Sequence, residues 1–288
     1  MFFKRNLSTF AFISLLFLAV FALSGCGSPK SSPETPDNGV HPSGETELTG
    51  SITVVGSTSV QPVSDLLAEA FMDEHPGTNI YVQGGGSSAG IRAADDGAAE
   101  IGASSRDLKD DEKHLKQYII AKDGIAVVVH PSSNVSDLTI EQIRDIYAGN
   151  ITNWSEAGGS NELIIVVTRE EGSGTRSAFE EIVMGKDAIT GKAIVQNSTG
   201  AVVTTVAGDK NAIGYISLAS LKENVKALKV EGVEVTRDNI AAGSYKVARP
   251  FIYVTKGEPA GLAKSFLDFV LSPDAQGIIE QAGLVSVN

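Results

Sequence analysis

The chain has 288 residues, with 23 lysines and arginines against 35 aspartates and glutamates, a formal charge of −12, and 42% apolar against 20% charged residues. That length and balance suit one large or two moderate globular bodies with a real core, while the net acidity argues against a nucleic-acid binder, which carries a basic face. One cysteine and four histidines (His41, His75, His114 and His130), with no His-Glu-x-x-His pair, exclude an internal disulfide framework, a thiolate metal cluster and a zinc-protease site, so no metal and no cofactor is expected.

Lys4 and Arg5 give the chain a positive start, and an uncharged apolar run from Phe10 to Leu23 follows, ending at Ser24-Gly25 before Cys26. The run has the length of a signal-peptide core and is short for a bilayer span. Counted from Asn6 to Gly25 it holds 20 uncharged residues, so an uncleaved anchor is the alternative. Leu23-Ser24-Gly25-Cys26 resembles the bacterial lipobox, which implies a leader over 1–25 and lipidation of Cys26. An ordinary cleavage site followed by a free thiol is the competing reading. Residues 26–49 carry four of the ten prolines (Pro29, Pro33, Pro36 and Pro42), no aromatic ring, and only Val40 and Leu48 as sizeable apolar groups. Such a segment cannot bury enough surface to offset chain entropy, which predicts a disordered tether. Removing 1–25 takes away two positive charges and no acid from −12, leaving about −14.

From Ser51 onward short apolar runs alternate with amphipathic stretches. Ile52–Val55 predicts a buried strand, followed by a helix with Val63, Leu66, Leu67, Ala70 and Phe71 at three- and four-residue spacing that stops before Pro76-Gly77. Ile80–Val82 is a second strand, then glycines 84–86, a helix near Ala89–Ala98, and a short strand at Ile101–Ala103. His114 falls in a charged stretch that predicts an exposed helix. Gly124–Val129, Leu163–Val167, Ala212–Ile216 and Phe251–Val254 predict further strands, Arg176–Val183 a helix, and Gly261–Leu271 and Pro273–Ala282 the closing helices. This alternation implies an α/β fold with parallel sheets, and two sheets of this size imply two lobes with a ligand cleft between them.

Small hydroxyl residues and glycines gather in four loops: Gly56-Ser57-Thr58-Ser59, Gly84-Gly85-Gly86-Ser87-Ser88, Gly102-Ala103-Ser104-Ser105, and Arg169-Glu170-Glu171-Gly172-Ser173-Gly174-Thr175. Each follows a predicted strand, and three precede a helix. Free N–H groups and the positive end of a helix favour an anion there, and glycine lets the backbone approach closely. Any one such loop is ordinary turn chemistry; four together, one with an arginine, point to an oxyanion site. There is no Gly-x-x-x-x-Gly-Lys-[Ser/Thr] loop and no Gly-x-Gly-x-x-Gly at the first strand, which excludes the common nucleotide sites. Gly86-Ser87-Ser88-Ala89-Gly90 matches a nucleophile elbow, so a secreted serine hydrolase using Ser88 is the alternative from another class. It needs a histidine within hydrogen-bond reach, and neither His114 nor His130 has the setting of a base.

Thr58–Pro62, Val82–Ser88, Arg169–Arg176, Leu138–Trp154 and Gly208–Ser217, with Ala212–Ile216 inside it, resemble in order the signatures of the phosphate-binding lipoproteins of bacterial high-affinity phosphate ABC transporters, over about 51–288. The resemblance implies a two-lobed type II periplasmic-binding-protein fold, each lobe a mixed sheet flanked by helices, with one lobe at 50–124 plus 248–288 and the other at 125–247. It implies capture of inorganic phosphate, not catalysis, by Thr58, Ser59, Ser87, Arg169, Ser173, Gly174 and Thr175, with Glu171 pairing with and aligning Arg169. Trp154 is expected to be scaffold. Many members have Gly-Ala-Ser-Asp where this chain reads Gly102-Ala103-Ser104-Ser105. A carboxylate there accepts a bond from a protonated phosphate oxygen and repels sulfate, whereas a serine can donate or accept. Ser105 is expected to remain a ligand, with selectivity shared by Glu170, Glu171 or Asp107.

The sequence therefore predicts a monomeric solute-binding protein, lipid-anchored through Cys26 on the extracytoplasmic face of the cell membrane, at the cell surface or in a periplasm. Its partners would be phosphate and the permease subunits of an ABC importer. Another tetrahedral oxyanion such as sulfate, or a sensor without a transport role, are the neighbouring readings.

Overall fold

In a computed structural model the described residues are 48–287. The expected leader, Cys26 and all but the last two residues of the expected tether lie outside them. Leu48, expected within the tether, packs half-buried against the core.

The chain runs β1 (Gly50–Gly56), α1 (Gln61–Glu74), β2 (Thr78–Gly84), α2 (Ser87–Asp96), β3 (Ile101–Ser104), β4 (Lys116–Val129), β5 (Asp137–Leu138), α3 (Ile140–Ala148) and β6 (Ile165–Arg169). It continues through α4 (Gly174–Phe179), β7 (Ile194–Gln196), α5 (Thr199–Gly208), β8 (Ala212–Ser217), β9 (Lys226–Ala227), β10 (Lys229–Val230), α6 (Arg237–Ala241), β11 (Ala248–Thr255), α7 (Gly261–Val270) and α8 (Pro273–Gln281). Nine strands form one sheet in the order β2-β1-β3-β11-β4-β8-β6-β7, with β9 added to β4; β10 and β5 pair separately.

The sheet is mixed, not parallel throughout. β1 is parallel to β2 and β3, and β6 is parallel to β8 and β7, but β11 runs antiparallel to β3 and β4, and β4 runs antiparallel to β8. The cause is β4, which is 14 residues long and begins eight residues before the apolar run that the sequence pattern shows. Its first half, Lys116–Asp123, carries charged and half-exposed side chains and pairs with β11, while its second half is wholly apolar and pairs with β8. One strand therefore serves both expected sheets and joins them.

The buried apolar residues nonetheless gather in two main clusters. One holds Ile52, Val54, Leu67, Phe71, Ile101, Phe251, Tyr253 and Phe266; the other holds Ile125, Val127, Tyr147, Phe179, Val202, Ile213, Tyr215 and Val247. At about 25 cal/mol per Å² of apolar surface removed from water, each is the kind of core that holds a body of this size together. The architecture is thus two α/β halves on one curled sheet.

Local differences from the sequence pattern have simple causes. α2 begins at Ser87, two residues earlier than expected, because Gly86 at φ 88° turns the chain into it, and Gly97 at φ 72° ends it. The helix expected from Arg176 starts at Gly174 and relaxes into a π turn over Glu180–Met184. Leu66, on the expected apolar face of α1, is 45% exposed. His114 lies beyond a short 3-10 turn at Asp110–Glu112, not in a helix, because β4 starts two residues later.

Two glycines let the loops meet. A Cβ on Gly56, at φ 152°, would sit 2.1 Å from the Ala103 carbonyl oxygen, and one on Gly90 would sit 2.3 Å from that of Val55, so α2 lies directly on the end of β1. Gly277, inside α8, has nothing within 4 Å. Gly90→Ala is expected to cost about 1–3 kcal/mol through overpacking, whereas Gly277→Ala should add about 0.5–1 kcal/mol through helix propensity. Urea unfolding of both variants measures the contrast, and effects of the same sign would show that α2 tolerates displacement.

Candidate functional site

Five strand-end turns, four of them leading into a helix, converge where the two halves meet. β1 ends at Gly56, and Ser57 folds its carbonyl back onto the N–H groups of Val60 and Gln61 (3.1 and 3.0 Å), which fixes Thr58 and Ser59 at the start of α1. The glycines after β2 donate from Gly85 and Gly86 to the Gly56 carbonyl (2.8 and 2.9 Å), which locks the second turn to the first and sets Ser87 at the head of α2. β3 delivers Ser105. Across from them, β6 delivers Arg169, and Ser173 caps α4 by accepting from the Arg176 N–H at 3.3 Å.

The fifth turn, Ser198-Thr199 between β7 and α5, carries the same signal of hydroxyl residues at a helix start but stands outside the four glycine-bearing loops of the sequence. Thr199 is central to the cluster. Its hydroxyl meets Ser59 Oγ at 2.8 Å and Thr58 Oγ1 at 3.3 Å, its N–H donates to Thr58 Oγ1 at 3.2 Å, and its Oγ1 accepts from Arg169 Nη1 at 3.2 Å.

The remaining bonds close the network. Ser59 Oγ meets Thr175 Oγ1 at 2.8 Å, and the Ser59 N–H donates to Ser57 Oγ at 3.2 Å. Ser57 Oγ donates to Ser105 Oγ at 2.8 Å, and the Ser105 N–H donates to Ser87 Oγ at 3.1 Å. Gly174 packs so tightly that an added Cβ would lie 2.1 Å from Ser87 Oγ and 2.8 Å from Ser105 Oγ. Thr58, Ser59, Ser87, Ser105, Arg169, Gly174 and Thr175 are thus brought together, with Ser173 beside them. All but the half-buried Thr58 are buried.

Arg169 is only 2% exposed. Its Nε and Nη2 donate to the two carboxylate oxygens of Glu170 at 2.9 and 2.8 Å, a bidentate fork. Here the structure corrects the expectation: the acid aligning Arg169 is Glu170, and Glu171 is exposed, its charge acting on Arg176 instead. The tight turn after β6 brings the adjacent residue back over its neighbour, with the Ser173 N–H bonded to the Glu170 carbonyl at 3.1 Å. From behind, the Arg169 N–H donates to the Tyr215 hydroxyl at 3.3 Å, and Tyr215 also bonds Thr168 Oγ1 at 2.7 Å and stacks on Phe179 at 4.1 Å. Burial pushes the Tyr215 hydroxyl up to about 12, so it stays neutral as a fixed partner to the end of β6.

Ser88 does not join this cluster as a nucleophile. Its N–H donates to the Gly172 carbonyl at 3.2 Å, and its Oγ accepts from Arg106 Nη2 at 3.4 Å. Both ring nitrogens of His114 are engaged, by Asp95 and by the Asp111 carbonyl (2.9 Å each), and His130 bonds Ser132 at 2.8 Å. Trp154 is buried and donates from its indole to the Asn211 carbonyl at 3.0 Å.

A family model described as a PBP superfamily domain matches residues 41–274. The phosphate-binding protein PstS of Bacillus subtilis (strain 168) is 34% identical over 283 residues, covering 96% of this chain and 93% of that protein. A Clostridium perfringens substrate-binding protein crystallised with bound phosphate is 48% identical, with a TM-score of 0.81, over 83% of this chain and 100% of that one. An ABC-type phosphate transport receptor from Vibrio cholerae is 40% identical, with a TM-score of 0.68, over 81% and 99%.

The Arg169–Glu170 fork makes the two neighbouring acids unequal. Glu170→Gln is expected to lower unfolding free energy by about 1–3 kcal/mol, because a buried guanidinium loses its charged partner. Glu171→Gln, on the surface, should stay within about 0.5 kcal/mol. Denaturant melts of the two variants decide it, and equal losses would withdraw the role given to Glu170.

Proposed function

This chain belongs to the PBP superfamily and, within it, to the PstS-type phosphate-binding proteins, and from that premise we propose that it captures inorganic phosphate for an ABC importer. The single observation that carries the reading is the buried network of hydroxyls and helix-start N–H groups, drawn from both halves, with one guanidinium set in it by Glu170. An oxyanion leaving water must recover its hydrogen bonds, and bonds to an ionised group are roughly twice as strong as neutral ones. The ligands in this reading are Thr58, Ser59, Ser87, Ser105, Arg169, Ser173, Gly174 and Thr175, to which the geometry adds Thr199.

Contacts from both halves favour the state in which they are close, so binding is closure. The proposed lobes are 50–124 plus 248–288 and 125–247, hinged where β4 and β11 cross. The closed shape is what the permease subunits would recognise. The protein acts as a monomer outside the cytoplasm, tethered to the membrane through a lipid on Cys26 and the proline-bearing segment behind it. A serine-hydrolase role finds no support in the setting of Ser88, which faces Arg106 and not a histidine.

Ser105 favours one neighbouring specificity. Among the described residues no carboxylate is hydrogen-bonded to the hydroxyls of the cluster, and both oxygens of Glu170 accept from Arg169. A ligand lacking a proton therefore meets hydroxyls that can turn their donors toward it, and sulfate is expected to compete with phosphate.

Isothermal titration of the ligand-stripped protein with phosphate, then sulfate, tests the reading. Phosphate should bind, sulfate should displace it measurably, and Arg169→Ala should weaken phosphate binding at least about 30-fold while the circular dichroism is unchanged. A natural chain indifferent to phosphate would overturn the function. The anchor has its own test: Cys26→Ala should move the protein from the membrane fraction to the soluble extracytoplasmic fraction, and retention of the variant in membranes would mean the apolar leader itself holds it.

A further inference from the structure

Asp123 and Arg249 lie where the two crossing strands pass from one apolar core to the other. On β4, Ala121 belongs to the first core and Ile125 to the second; on β11 and just before it, Phe251 and Val247 divide the same way. Between these positions Arg249 donates from Nη2 and Nε to Asp123 Oδ2 at 3.0 and 3.2 Å, and neither side chain is more than 1% exposed.

The pair has a partner on each side. Toward the second half, Asp123 Oδ1 accepts from Ser217 Oγ at 2.9 Å and from the Leu218 N–H at 3.2 Å. Toward the site, Arg249 Nη1 donates to the Ser105 carbonyl at 3.0 Å. The Ser105 N–H and hydroxyl are already held by Ser87 and Ser57, so Arg249 fixes the last free group of that residue. An unbroken chain of bonds thus runs from the hydroxyl cluster through Ser105, Arg249 and Asp123 to the end of β8.

Stability alone does not account for such a pair. Desolvating two charges costs about as much as their attraction returns, and apolar replacements often do as well. Arg249 also senses the site: burial pulls its guanidinium below the usual range, the charge of Arg169 pulls the same way, and Asp123 opposes both. An anion arriving between Arg169 and Ser105 relieves that repulsion.

We propose that Asp123 and Arg249 are positioning residues of the oxyanion site, holding the Ser105 turn on the crossover so that anion capture and approach of the two halves are one event. This rests on the phosphate-binding reading given above. Neither residue touches the ligand, and both act through Ser105.

The test compares the full natural chain with Arg249→Met, Asp123→Asn, the double variant and Arg249→Lys, measuring phosphate affinity by titration, compaction by small-angle scattering, and unfolding by urea. Arg249→Met is expected to lose about tenfold in affinity, the effect of misplacing one hydrogen-bonding residue, and to blunt compaction at saturating phosphate. The double variant, free of an unpaired buried charge, should regain most of the unfolding stability but not the affinity, and Arg249→Lys should recover part of it. A double variant that binds as tightly as the natural chain, or affinity that follows stability across the set, overturns the proposal. Should the single variants not fold, the Arg249 Nε–H resonance of the natural protein is followed on phosphate saturation: a shift supports the coupling, and none overturns it. A natural chain that fails to bind phosphate removes the functional reading itself, whereas binding by the natural chain with indistinguishable variants removes only the role of the pair.

Discussion

The structure turns on one guanidinium placed out of water. Arg169 at the end of β6 is almost wholly buried, and a charge in that position persists only with good partners. Glu170 takes two of its donors as a fork, Thr199 takes a third, and Tyr215 steadies the backbone beneath it. The fork to Glu170 leaves Nη1 as the donor aimed among the hydroxyls of Ser59, Thr175 and Thr199. The hydroxyls can reverse their bonds to one another at little cost, so the same network that is satisfied internally can be re-aimed at an incoming acceptor.

That local arrangement answers the apparent conflict with a chain of charge −12. Exposed carboxylates act through water and are screened beyond about 8–10 Å at physiological salt. Within the cluster the groups are donors, hydroxyls and helix-start N–H groups, at bonding distance. The field that an oxyanion meets is therefore set by its immediate neighbours and not by the protein's total charge, which serves solubility.

How much of this the amino-acid order discloses depends on the kind of signal. Gly124–Val129 marks a strand because it is buried on both faces, and Ile52–Val55 because one face is buried and the other half-buried, and the loop after the latter stands out because serine, threonine and glycine cluster there. Arg169 is legible for the same reason. The first half of β4 is not: Lys116–Asp123 mixes charge with half-buried residues, since one side of it faces solvent, and only its pairing with β11 makes it a strand. Thr199 carried the right local signal but in a turn shorter in glycine. Glu170 and Glu171 are adjacent and identical in type, so only the path of the turn after β6 decides which one meets the arginine. Asp123 and Arg249 lie 126 residues apart, inside strands, and nothing local distinguishes them from surface charges.

The mixed sheet gives these long-range pairs their meaning. A purely parallel sheet would separate the two halves by helical crossovers, with many residues between one core and the next. Here β4 and β11 run antiparallel side by side through the junction, with a register shift between Phe251 and Ile252. Such a shift leaves a residue unpaired, bends the strand and sharpens its local twist beside the junction. The buried Asp123–Arg249 pair sits at the junction itself, bonded to Ser105 on one side and Ser217 on the other. A charge pair that loses much of its strength when its geometry slackens, placed where both strands pass between the two cores, joins the oxyanion cluster through Ser105 to the end of β8.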